Sequence, residues 1–247
     1  ATHQADRIYT TVASSYSTAV RKNRQIIQRE VVKLNAYNKT NVVASVRTMQ
    51  TYYNRIVNAY PEGANVSPEE NRILDLIENE NANSIITANL VENNVLPTET
   101  TEDVIIGDKL KLVSEDLNNR WQGALFALHP NNPDATRHFC TSTREIFVNF
   151  IEIKAPDAEV FNYNPNCKTT PNGNPTRKEK IKYMMRNKMH DDNIVCFADA
   201  NIDNILELNY ILSGGTHGEA GKYTFETLMQ VKKRVESGIN FLCEISA

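Results

Sequence analysis

From Ala5 to Ala59 the chain contains neither proline nor glycine. A run of that length, free of breakers and turn formers, can pair its own backbone groups locally only by coiling into helix. Apolar residues recur along it at Ile8, Val12, Val20, Ile27, Val31, Leu34, Val42, Val46, Met49, Tyr53 and Ile56, the three-and-four spacing of one helical face. Asn38, Lys39, Thr40 and Asn41 form a polar break, with Thr40 or Asn41 placed to cap a second helix. Unbroken, the stripe from Ile8 to Ile56 spans about 70 Å, whereas a domain the size of the remaining chain has a radius of gyration of about 14 Å. The arm therefore either folds back at residues 38–41 as a hairpin or packs on another chain. A homo-oligomer made chiefly through residues 1–91 is expected.

The remaining segments also read as helix. Ser67, Pro68, Glu69 and Glu70 form a start signal: serine caps, proline takes the first helical position, and the acids sit at the positive helix end. Ile73, Leu74, Ile77, Ile85 and Leu90 continue as a buried stripe. Residues 92–107 look like a polar linker, dividing an arm (1–91) from a helical domain (108–247). Beyond the linker, helices are predicted over 109–128, 133–154, 176–189, 199–212 and 224–245, with Asn132 capping the second. The fold class is all-α, a long N-terminal helical arm or hairpin followed by a compact helical bundle.

Hydrophobic residues at 40% supply enough apolar material for a core, and no stretch approaches a membrane span. Cys140, Cys167, Cys196 and Cys243 are scattered, which suits a reduced, cytoplasmic protein. The net charge of −3 hides an asymmetry. Residues 1–58 are basic, with only Asp6 and Glu30 as acids, while 65–120 is acidic from Glu69 to Asp103. Such blocks mark a nucleic-acid face, or they pair with one another within the chain or across an oligomer.

Four constellations can carry chemistry. Glu152, Ile153 and Lys154, with Asp134 upstream, are half the metal-binding signature of restriction-type nucleases if they follow a strand. The uninterrupted helical spacing of Phe139, Thr143, Ile146, Phe150 and Ile153 speaks for helix, where Glu152 and Lys154 share no face. Arg137 and Arg144 stand two turns apart, so both guanidiniums point one way, toward phosphate or toward carboxylates of a neighbour. Lys178, Lys182 and Arg186 fall at i, i+4 and i+8, a phosphate-tracking stripe or an ordinary solvated face. Lastly, Gly214, Gly215, Gly218 and Gly221 frame His217, an imidazole able to act as acid or base, or a bystander in a helix connection. His129, His138 and His190 lack partners at metal-ligand spacing, and no phosphate-binding loop, dinucleotide fingerprint or nucleophile elbow occurs. Neither a metal nor a cofactor is expected.

Arg120, Trp121, Gln122, Gly123 and Ala124, followed by Asn132, Pro133, Asp134 and by Ser142, Thr143, Arg144, Glu145, make a distinctive series. It continues through Ala155, Pro156, Asp157, then Pro175, Thr176, Arg177, and ends at Thr216 and His217. In that order, over about residues 115–247, the chain resembles a helical family of prokaryotic defence islands, the predicted Piwi-associating nucleases. The late histidine also looks like that of the helical HEPN ribonucleases, which pair it with an arginine shortly before it in the same helix. This sequence departs from that pattern: Asn209 is the polar residue upstream, and an arginine has to come from Arg137, Arg144 or Arg177 in space. The resemblance implies an antiviral defence protein acting on nucleic acid. In the enzyme reading His217, Arg144 and Arg177 are catalytic, and Arg137, Lys178, Lys182 and Arg186 bind the strand. The alternative is a non-catalytic module that senses nucleic acid or a nucleotide signal, or a scaffold for a defence-system partner protein.

Overall fold

The computed structural model describes residues 24–25, 41–61, 64–93, 106–129, 131–188, 191–213 and 223–246. It is all-α. The helices are α1 (Asn41–Ala59), α2 (Pro68–Asn93), α3 (Gly107–Val113), α4 (Glu115–Ala127), α5 (Ala135–Lys154), α6 (Asp157–Tyr163), α7 (Arg177–Met184), α8 (Asp192–Leu212) and α9 (Phe225–Ser246). Among the described residues the only β pairing is an isolated bridge between Thr169 and Pro175.

Local chemistry explains most boundaries. Ser67 and Glu70 form a reciprocal capping box at the start of α2: the Glu70 N–H donates to Ser67 Oγ (3.2 Å) and the Ser67 N–H to Glu70 Oε2 (2.7 Å). The helix predicted over 109–128 is split in two. Ser114 is extended (φ −164°) and its hydroxyl accepts from the Asp116 N–H, so Ser114, Glu115 and Asp116 restart a helix in the middle of the run. The helix predicted over 176–189 ends at Met184, because the following N–H groups turn back to carbonyls three residues earlier (Arg186 to Tyr183, 3.2 Å; Lys188 to Met185, 2.9 Å). By contrast α8 begins seven residues before its predicted start, at Asp192, since the Asp191 side chain caps the Asn193 N–H at 2.7 Å. Between α6 and α7 the chain makes a tight reversal at Gly173, whose φ of +85° favours glycine.

The packing joins the two halves of the chain. Val42, Val46, Met49, Tyr53 and Ile56 of α1 are buried, and they belong to one hydrophobic cluster that extends to Ile245. α1 lies on α8 and α2, and α2 lies antiparallel on α9. α4 packs on α5, where Trp121 meets Phe139 edge-on at 6.5 Å between ring centres. α5 in turn touches α8, α7 and α9. The part of the apolar stripe from Val42 to Ile56 is thus covered by helices of the same chain. Its earlier part, and residues 94–105 of the expected linker, lie outside the described residues. Arg24 reaches across to Glu78 of α2 (Nε to Oε1, 3.4 Å), one pairing of the basic segment with the acidic one.

Candidate functional site

The cations singled out in the sequence are distributed over several partners. Arg137 donates through Nε (2.8 Å) and a terminal nitrogen to Asp134, one turn back on the same side of α5. Arg177 is clamped by α8, with Nε on Asp199 Oδ1 and a terminal nitrogen on Asp203 Oδ1, each at 2.6 Å. Lys182 pairs with Asp192 at 3.3 Å. Arg186 lies past the end of α7, stacks over the Tyr183 ring at 3.9 Å and donates to the Tyr183 carbonyl. The stripe of Lys178, Lys182 and Arg186 is therefore not one helical face, because the helix that carries it stops at Met184. Lys178 and Arg144 are exposed, and Arg144 has no carboxylate partner among the described residues. His217 and its four framing glycines lie outside the described residues.

The restriction-nuclease reading of Glu152, Ile153 and Lys154 does not survive. All three stand on α5 rather than on a strand, and Glu152 is bound at 2.5 Å by the buried ammonium of Lys180, which also meets Asp157 at 2.6 Å. Among the described residues no group of three or more His, Cys, Asp or Glu is placed to hold a metal ion. Burial pushes the Cys140 thiol up to about 12, so this cysteine is a core residue and not a nucleophile.

A different polar assembly occupies the centre of the molecule. Arg234 of α9 is 1% exposed and Glu80 of α2 likewise 1% exposed. They meet at 2.6 Å. The other terminal nitrogen of Arg234 donates to Asn201 and Asn204 (3.3 Å to the latter) on α8, and the Asn201 amide donates to Glu80 at 2.7 Å. Ser237 donates to the second Glu80 oxygen and accepts from Asn83 at 3.0 Å. Asn204 reaches Ser45 of α1 at 3.0 Å. Four helices thus contribute to one enclosed network. Burial raises the Glu80 pKa above the usual carboxylate range, opposed by Arg234 and the Asn201 hydrogen bond.

This network was not anticipated from the sequence, where Arg234 stands beside Lys232 and Lys233. A signal did exist. Thr227, Gln230, Arg234 and Ser237 recur at helical spacing on α9, flanked on the same side by Leu228, Val231 and Val235, and Glu80, Asn83 and Thr87 do so on α2. A polar stripe set inside apolar surroundings needs polar stripes opposite it.

The described residues form a helical body with a buried polar seam at its centre and the exposed Arg144 on α5. The chain belongs to the family of predicted pPIWI-associating nucleases, whose model matches residues 110–242. No curated protein and no solved structure matches the chain significantly. The matched span holds Asn201, Asn204 and Arg234, while Glu80, the carboxylate facing Arg234, precedes it.

Proposed function

We propose that this chain is a cytoplasmic, phosphodiester-cleaving component of a PIWI-associated prokaryotic antiviral defence system. The observation that carries the reading is family membership across the helical body from α3 to α9. The geometry narrows the roles. Arg144, exposed and without a carboxylate partner among the described residues, is available to hold phosphate. His217 serves as general acid or base. Arg177 can contribute only by exchanging Asp199 and Asp203 for a substrate phosphate, so its role is conditional on that exchange. The test is cleavage of labelled RNA and of single- and double-stranded DNA, with and without divalent cations. The expected result is strand scission that falls at least about a hundredfold in His217→Ala and weakens in Arg144→Ala. Full activity in His217→Ala removes His217 from the chemistry, and no cleavage of any substrate removes the enzyme reading.

A second reading, a module that docks a protein partner of the defence system, is favoured by Leu112 and Phe126, which are 89% and 83% exposed. Stoichiometric co-purification of a partner, lost on replacing these two residues by serine, supports it. Self-assembly, expected chiefly through residues 1–91, belongs to the same proposal, and residues 1–40 are the first segment to test. Light scattering of the full chain against one starting at Asn41 tests it, with equal masses speaking against assembly through that segment.

A further inference from the structure

Phe126, Tyr163, Tyr210 and Phe225 are exposed aromatic side chains. Of these, Tyr163, the last residue of α6 and 48% exposed, rests on a second ring that carries a cation. Its ring stands edge-on against the buried Tyr183 of α7, with 5.8 Å between ring centres and 72° between planes. The Arg186 guanidinium lies over that same Tyr183 ring, 3.9 Å from its centre.

The cluster is held from within. The Tyr183 hydroxyl donates to Glu159 Oε2 at 2.6 Å, which ties the ring of α7 to α6. Arg186 donates through a terminal nitrogen to the Tyr183 carbonyl at 2.9 Å, and its backbone N–H reaches the same carbonyl at 3.2 Å. A ring and a carbonyl therefore position this partly exposed guanidinium, and it has no carboxylate partner among the described residues. In this it differs from Arg137, Arg177 and Lys182, each of which is paired with aspartate. A guanidinium is a fork of several donors, so those not turned to the Tyr183 carbonyl can meet phosphate oxygens.

An exposed ring offers a stacking face to any unpaired base, and a neighbouring arginine adds charge and cation–π attraction. In a duplex the base faces are covered by one another, so a surface tyrosine has no face to stack on; in a single strand they are accessible. A carboxylate of a protein partner would engage the cation and leave the ring unused. A base joined to its phosphate uses both.

We propose that Tyr163 and Arg186 bind one nucleotide of a single-stranded nucleic acid, Tyr163 stacking on the base and Arg186 holding the phosphate, with Tyr183 as their common support. The proposal rests on the nucleic-acid reading above, and it adds a strand class and a base contact to that reading.

The experiment titrates the full chain against a labelled mixed-sequence single strand, as RNA and as DNA, and against duplex DNA of the same length. Fluorescence anisotropy is read over a range of salt concentrations. Tyr163→Leu removes the stacking face, Tyr163→Phe keeps it, and Arg186→Gln removes the charge. Tyr163→Leu should bind single strands at least about fivefold more weakly, the lower bound for one lost base stack, with its salt dependence unchanged. Tyr163→Phe should bind as the unmodified chain does. Arg186→Gln should bind more weakly, and its salt slope should fall by about one phosphate contact. Duplex should bind more weakly than single strand and be indifferent to Tyr163→Leu. Ultraviolet cross-linking of an iodouridine-substituted strand to the unmodified chain needs no variant, so it holds even where a variant melts lower; the adduct should map to Tyr163. If Tyr163→Leu binds single strands unchanged, or the adducts map elsewhere, the stacking site fails and the nucleic-acid reading stands. An equal loss on duplex or in Tyr163→Phe also overturns it, because the ring is then not stacking on an unpaired base. An unchanged salt slope in Arg186→Gln overturns the phosphate contact. If the unmodified chain binds no strand at all, both readings fail.

Discussion

Replacing Arg234 by leucine removes the cation that faces Glu80 while keeping the volume of the core near its present value. Both partners are 1% exposed, so solvent cannot replace the lost contact. Glu80 would be left with Asn201 and Ser237 only, and Asn201 and Asn204 would each lose a donor. Breaking a buried ion pair from one side costs about 3–5 kcal/mol, because the remaining charge stays desolvated. For a chain of this size about 1 kcal/mol shifts the melting temperature by roughly 2–4 °C, so Arg234→Leu should melt on the order of 10 °C lower. The pair Glu80→Leu with Arg234→Leu is the decisive companion. Removing both charges leaves no unpaired ion, and the double variant should recover most of the loss, as buried pairs exchanged for apolar groups commonly do. Urea unfolding of the four proteins, followed by far-ultraviolet circular dichroism, gives the coupling directly. A loss below about 1 kcal/mol in Arg234→Leu, or a double variant as unstable as the sum of the two singles, would refute the argument that this pair is sealed from water.

Two further outcomes follow from particular contacts. A Cβ added at Gly238 would stand 2.3 Å from the Ile205 methyl and 3.1 Å from the Phe147 ring, so Gly238→Ala should destabilise by roughly 1–3 kcal/mol despite its better helix propensity, and Ile205→Val should restore part of it in thermal melts. Burial raises the Asp75 pKa, which means the folded chain holds this proton more tightly than the unfolded one. The stability associated with the protonated form is complete below the unfolded aspartate pKa of about 3.9 and is lost as pH rises toward the folded value. Asp75→Asn should therefore be more stable than the unmodified chain at neutral pH, with the difference shrinking on acidification; a difference independent of pH counts against it.

The sequence by itself determined the helical class and several helix ends, since these depend on contacts within a few residues. Ser67 with Glu70 needs only its neighbours to cap α2, and the spacing of Val42, Val46, Met49, Tyr53 and Ile56 shows which side of α1 must be buried. The motif series from Arg120 onward likewise led to the family that the match over residues 110–242 shows. What the sequence could not say is what lies against each face. The stripe on α1 left open whether helices of the same chain or another chain would cover it, and tertiary packing gave it to α8. Arg177 read as a phosphate holder, and two carboxylates of α8 took it. Arg234 sits 154 positions from Glu80. Helical periodicity fixes the direction in which a side chain points, but its charge is solvated, paired or buried according to which distant segment arrives opposite, and that choice is made by the packing of the whole chain.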